Sequence, residues 1–272
     1  MAMNDTNAFV GEGLFPVLRD TTLVLEGEVV SVLLSSKGLK VTRRYQVLHS
    51  GDRSETVELG VVCLPAYLLS GEPVEERYKR RLEGAKVSVD GIPKEGVHRI
   101  DRLVDAGTHV VVSAKTMAEL EDCAESNDGD ICGHAWLAFS ATFKPRQVRT
   151  VEVTWTTAPS PYRFVDSALD SLSFYSEKFF RGDSVPRIEL HFAVEGVELA
   201  ENVFNVNIEP IKHPGLVQEY RAGRYTWGIQ NYVPVKEDYR YRDRMYRHDT
   251  LDQEAIERAY RSIVSPSATG EE

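Results

Sequence analysis

The chain reads as a mainly β protein, an antiparallel β-sandwich-like body with one internal helix and a C-terminal helix. Three observations point there. Runs with an apolar residue at every second position recur from Leu23 to Phe204. Gly-, Pro- and Asp-containing turns separate them. Apolar spacing of the helical kind stands out at two places, Lys115–Glu125 and Thr250–Val264.

The first strand pattern, Thr22–Leu34, carries Leu23, Leu25, Val29, Val30, Val32 and Leu33. Its centre, Glu26-Gly27-Glu28, interrupts the alternation and reads as a turn or a bulge between two strands. In Leu39–Leu48 the residues Leu39, Val41, Arg43, Tyr45 and Val47 share one face and Lys40, Thr42, Arg44 and Gln46 the other. Ser50-Gly51-Asp52 is a turn. Val57, Leu59, Val61 and Cys63 form the next face, which stops at Leu64-Pro65 because proline has no N–H for the ladder.

Gly71–Gly84 is charged and accommodates a short helix at Glu75–Leu82. Lys86–Asp90 and Gly96–Ile100 are expected to pair as a hairpin around Gly91-Ile92-Pro93. Thr108–Ser113 is a β-branched run, and Met117, Leu120 and Ala124 give the internal helix its spacing. His134–Phe143 and Gln147–Thr157 are the two best strands, with Val151, Val153 and Trp155 on one face. Phe164–Phe180 suits either a helix or a broken strand. Ile188, Leu190, Phe192 and Val194 alternate again, and Val203–Ile208 closes the series.

From Tyr220 to His248 aromatic residues and arginines interleave. The C-terminal helix, Thr250–Val264, opens on a capping box of Thr250 and Gln253 and bears Leu251, Ala255, Ile256, Ala259 and Ile263 as its apolar stripe. The expected organisation is a β-rich half over residues 4–160, a β-rich part over 161–248 continuing the same or a second sandwich, a helix over 249–264 and a disordered tail over 265–272.

The 272 residues are 42% hydrophobic and 27% charged, the balance of a soluble globular protein with a real core. A net charge of −10 repels phosphate backbones, so nucleic acid is not an expected partner; a protein or glycan ligand is. No apolar run approaches the ~18 residues of a transmembrane segment. The start, Met1-Ala2-Met3-Asn4-Asp5, lacks a signal core and reads either as a cytosolic terminus or as a start methionine before a mature secreted chain.

The candidate recognition residues are Trp227, Tyr232, Tyr239 and Arg240, from the arginine–tyrosine segment. Aromatic faces stack on bases or sugars and arginines grip anions. The ordinary alternative is a tail packed across a sheet, its arginines paired with the surplus carboxylates. Glu121-Asp122, Glu125 and Asn127-Asp128-Gly129-Asp130 offer hard oxygen ligands. That loop lacks the EF-hand spacing and its closing glutamate, so no cofactor is expected and calcium is the open alternative. Cys132-Gly133-His134 has neither a CxxC pair nor a second histidine at zinc spacing, and no metal residues are assigned. Of the three cysteines, Cys63, Cys123 and Cys132, the last two are a disulfide candidate; three reduced thiols are the alternative. No HExxH, GxSxG, Walker or GxGxxG pattern occurs, and no catalytic residues are assigned.

Three segments together resemble a bacterial family of exported proteins, domain-of-unknown-function family 4424. They are Asn4-Asp5-Thr6 with Gly13-Leu14 and the Leu23–Val47 strands; Val87-Ser88-Val89-Asp90-Gly91; and Trp227, Asn231-Tyr232-Val233-Pro234 and Glu237-Asp238. The resemblance runs over residues 4–240. It departs in the charged insert after Leu64-Pro65. It implies a periplasmic or extracellular β-rich protein and brings no catalytic residues. The leading expectation is therefore an exported, non-catalytic binding or envelope-associated protein. The rivals are a hydrolase with carboxylates from separate strands and a structural protein that assembles through its sheet edges.

Overall fold

The computed structural model describes residues 14–17, 22–35, 37–65, 85–104, 111–114, 134–157, 173–174, 180–181, 184–195, 216–221, 224–232, 243–244 and 258. In chain order the strands are β1 (Leu14–Pro16), β2 (Leu23–Ser35), β3 (Gly38–His49), β4 (Glu55–Pro65), β5 (Lys86–Val89), β6 (Ile92–Lys94), β7 (Val97–Val104) and β8 (Val111–Ala114). Then come β9 (His134–Phe143), β10 (Val148–Thr157), β11 (Ser173–Phe174), β12 (Val185–Val194), β13 (Leu216–Arg221), β14 (Arg224–Tyr232) and β15 (Asp243–Arg244). A large sheet of eight strands has the order β13-β14-β12-β2-β3-β10-β5-β6, and a small sheet of five has the order β1-β4-β9-β7-β8. β11 and β15 pair separately.

The mainly β expectation holds. Three tight connections, β3–β4, β6–β7 and β9–β10, carry the chain between the two sheets, and each sheet buries one face. In the large sheet this face presents Val30, Val32, Leu34, Val41, Val47, Val151, Val153, Trp155, Ile188, Leu190 and Phe192. In the small sheet it presents Val57, Leu59, Leu137, Phe139, Ala141 and Phe143. Full burial of such side chains contributes about 1.5–3 kcal/mol each before entropy is subtracted. The small sheet also covers part of its other face. Gly60 has no side chain, so Phe15 reaches across it to pack on Ala138.

Thr22–Leu34 is one continuous strand, not two. Its register against β3 shifts between Leu25 and Gly27, a bulge that adds a residue to β2. Before the bulge Leu23 and Leu25 face the core; after it Glu28, Val30, Val32 and Leu34 do. Gly27 suits the site because a Cβ there would lie 3.1 Å from the Arg187 carbonyl oxygen on β12. The bulge carries Glu28 into the interior, where its Oε1 accepts from Arg43 Nη1 at 3.0 Å. The two side chains are 0% and 3% exposed.

The sheet is mixed, not purely antiparallel, because β12 runs parallel to β2 from Arg187↔Gly27 to Val194↔Leu34. A parallel neighbour needs a long crossover, and the whole stretch from β3 to β11 supplies it. β12, β14 and β13 thus extend the same sheet as β2 and β3. The hairpin at Gly91 also differs from expectation. β5 turns through Asp90 and Gly91, at φ 52° and 76°, into β6, and Val97 already belongs to the small sheet. Two consecutive positive φ values are the mark of a two-residue I′ turn, which Asp-Gly supplies. Asp90 braces it by accepting from Thr150 N at 2.8 Å and from Arg149 Nε at 2.7 Å.

At the end where the chain crosses between sheets, the His49 imidazole is 1% exposed. Its Nδ1 lies 3.1 Å from the Lys144 carbonyl, which can only accept. Its Nε2 lies 3.2 Å from Glu55 Oε2, which also accepts from the Thr22 hydroxyl at 3.0 Å. The ring sits against Phe143, with centroids 6.2 Å apart. One side chain therefore ties β3, β4 and the β9–β10 turn together. Gly51 leaves room for it, since a Cβ there would meet Nε2 at 2.9 Å.

The helix candidates Glu75–Leu82 and Lys115–Glu125 lie outside the described residues. Of Thr250–Val264 only Arg258 is described, in helical conformation. Residues 203–208 and the expected tail lie outside them as well.

The buried Glu28–Arg43 pair yields a contrast that urea denaturation measures. Glu28→Ala strands a guanidinium in the core and is expected to cost about 3–5 kcal/mol. Glu28→Leu combined with Arg43→Met removes both charges and is expected to cost far less, or to stabilise.

Candidate functional site in the outer face of the large sheet

Because side chains alternate along β12, the burial of Ile188, Leu190, Phe192 and Val194 leaves Arg187, Glu189, His191 and Ala193 on the opposite, outer face. Register carries this stripe sideways. One row crosses the sheet as Gly228, Glu189, Val29, Arg44, Glu152 and Ser88. The next runs Thr226, His191, Ser31, Thr42, Thr154 and Lys86. A polar platform results, backed by the apolar inner face of the same strands.

Most of its central charges are neutralised in place. Arg187 donates to Glu189 Oε1 from Nε at 2.8 Å and again from Nη2. His191 Nε2 stands 3.1 Å from Glu189 Oε2. Arg44 donates to Glu152 Oε2 from Nη2 at 2.8 Å and from Nε at 3.2 Å. The Thr42 and Thr154 hydroxyls bond each other at 3.2 Å. Burial, the largest influence on Glu189, pushes its carboxyl upward. The hydrogen bonds from Arg187 and His191, with their charges, together outweigh burial and hold it below its ordinary 4.5.

Between Glu189 and the edge strand, Gly228 offers no side chain. A Cβ there would find only the Glu189 Cγ at 3.8 Å and the Ile188 carbonyl at 3.9 Å, so the platform has a step beside the carboxylate. Among the described residues no three His, Cys, Asp or Glu side chains group as a metal site. Glu28 is their sole buried carboxylate, and it faces an arginine.

The four residues singled out from sequence are distributed differently. Trp227 is registered between Leu190 and Gln218 in β14. Tyr232 ends the same strand opposite Val185 and is 2% exposed, so its ring is packed into the body. Tyr239, Arg240, Cys123 and Cys132 lie outside the described residues, as does the acidic loop. The stripe of Arg187, Glu189 and His191 was not singled out from sequence. Its signal was present as the polar half of the Ile188–Val194 alternation, but its neighbours come only from cross-strand register.

No protein-family model matches this chain, and no curated protein does. Among solved structures, a "putative nutrient binding protein" of Legionella pneumophila is similar over 84% of this chain and 69% of its own, at 10% identity and a TM-score of 0.48. Yeast LTA4 hydrolase is similar over 77% of this chain at 8% identity and a TM-score of 0.34. An M1 zinc metallopeptidase of Deinococcus radiodurans is similar over 85% at 9% and 0.32. The chain spans 27% and 43% of the length of those two enzymes. Likenesses of this strength say nothing about what the chain binds or does.

The Glu189 geometry sets a pH dependence. A carboxyl whose folded pKa is lowered adds stability that is present above its unfolded value and lost as pH falls through the folded one. Thermal unfolding is therefore expected to show a loss on acidification below about pH 4.5 that Glu189→Gln flattens.

Proposed function

We propose that this chain is an exported, non-catalytic binding protein of the bacterial envelope or its surroundings, displaying the outer face of the large sheet to its ligand. One observation carries the reading. The described buried polar groups are engaged structurally, in Glu28–Arg43 and around His49, while the polar side chains in register rows lie on the outward face. A rigid, apolar-backed platform with hydrogen-bonding groups at fixed spacing suits recognition. A hydrolase of the kind weighed from sequence needs two facing carboxyl groups, and Glu28 faces a guanidinium.

The sheet edges favour display over edge-to-edge assembly. β1 and β6 are three-residue strands containing Pro16 and Pro93, β13 carries Glu219 and Arg221, and the remaining edge of the two sheets, β8, is four residues long. Short, proline-bearing or charged edges resist pairing with another chain. No helix among the described residues is long and apolar enough to cross a membrane. Export rests on the resemblance carried by the Asn4, Val87–Gly91 and Trp227–Asp238 segments. In this reading Tyr239 and Arg240 contribute to ligand contact, while Trp227, in register with the buried Leu190, and Tyr232 hold β14 in the sheet.

Three measurements test the reading. An oxidising compartment predicts a Cys123–Cys132 bridge, hence one free thiol per denatured chain by thiol titration; three free thiols would overturn export. Glycan and peptide arrays are expected to give a signal that Tyr239→Ala and Arg240→Ala together abolish, with the thermal unfolding midpoint retained. Turnover of a substrate by the purified chain would refute the non-catalytic assignment.

A further inference from the structure

The central ion pairs of the outer face leave one end of it differently charged. The last row runs Arg221, Arg224, Ala193, Leu33, Lys40 and Thr156 across β13, β14, β12, β2, β3 and β10. Arg221 and Arg224 stand directly opposite each other at the end of the β13–β14 ladder, both exposed. Like charges directly opposite in a ladder are destabilising. Among the described residues neither has an ion-pair partner, and nor does exposed Lys40, whereas Arg44, Arg149 and Arg187 each have one. Taken with the adjacent row and the residues just beyond it, this end presents the cations Arg221, Arg224, Lys37, Lys40 and Lys86 against two carboxylates, Glu219 and Glu195. The whole chain has net charge −10. At physiological salt, charges are screened over about 8 Å, so a bound group senses the local excess and not the distant surplus of carboxylates.

We infer that this end of the outer face binds an acidic polysaccharide, its carboxylate or sulfate groups held by Arg221, Arg224 and Lys40. From Arg224 to Lys40 is three strand spacings, about 14 Å, too far for one anion and suited to a polymer with repeated ones. The adjoining row supplies the hydroxyls of Thr226, Ser31, Thr42 and Thr154 and the imidazole of His191. Those groups pair with sugar hydroxyls, which an acidic glycan carries beside its charges. Neither row has a Phe, Tyr or Trp, so the face lacks the broad stacking platform that single-stranded nucleic acid uses. The inference rests on the binding role proposed above and names the ligand class for the same face.

The test is titration calorimetry of the full chain with polygalacturonate for the carboxylate arm, dextran sulfate for the sulfate arm and neutral dextran as the blank. At least one acidic polymer is expected to bind, with affinity that falls as salt rises. Arg221→Gln, Arg224→Gln and Lys40→Gln together are expected to weaken it about tenfold or more. Arg146→Gln, a cation paired with Asp52 in the β9–β10 turn at the opposite end of the strands, is expected to leave it nearly unchanged. Glu219→Gln, which removes one of the two carboxylates, is expected to strengthen it, a gain that damaged folding would not produce. Unchanged binding in the triple variant overturns the inference, as does binding of single-stranded DNA or anionic vesicles as tight as that of the polymers. If only neutral glycans or peptides bind, the inference fails and the binding role stands; if nothing binds in either assay, both fail.

Discussion

One inserted residue decides which half of β2 meets the core. Without the bulge at Gly27, strict alternation would carry Val29, Ser31 and Leu33 inward and leave Val30, Val32 and Leu34 outside, because a one-residue slip exchanges the faces of a strand. With it, Glu28 arrives beside Arg43. β2 is central to the large sheet, flanked by β3 and β12, so its register propagates to both sides. The inner row at Glu28–Arg43 and the outer row at Glu189 and Arg44 are consequences of the same shift.

The two faces of the sheet have separate tasks, and the ends of the strands keep them aligned. Inside, apolar side chains and one ion pair leave few alternative packings, since any slip of β2 against β3 would strand a charge. At the crossing between sheets, His49 joins three segments through groups that all accept hydrogen bonds. Arg149 extends this corner outward. It donates to the Thr142 carbonyl at 2.7 Å, bonds Asp90 and lies over the Phe143 ring at 5.9 Å. The outer platform therefore sits on strands whose positions are fixed from beneath and from one end.

Much of the strand content was legible because its period is two. Leu39–Leu48, His134–Phe143, Gln147–Thr157 and Ile188–Val194 lie where alternation puts them, and even the inward direction of Arg43 follows from its neighbours Val41 and Tyr45. The partner of that arginine was not legible. Glu28 reaches the core only through a bulge, and a bulge looks the same in sequence as a break between strands. The I′ turn at Asp90-Gly91 lost out to the nearby Pro93 as a turn marker, although Asp-Gly is the stronger local signal. The parallel β2–β12 pairing depends on contacts between remote segments, which no local pattern reports. For the same reason the platform was only half legible: the polar stripe of β12 is in the sequence, but its rows exist only once five neighbouring strands are in register.

The parallel seam has a consequence for biogenesis. β2 and β3 emerge from the ribosome early, yet the strand that covers the far side of β2 is complete only at Val194. Through most of translation the nascent hairpin exposes a long unsatisfied backbone edge bearing Val30, Val32 and Leu34, the kind of surface on which holdase chaperones act. The β2–β12 seam thus forms after the local hairpins, and β14 and β13 can complete the sheet only once it is in place.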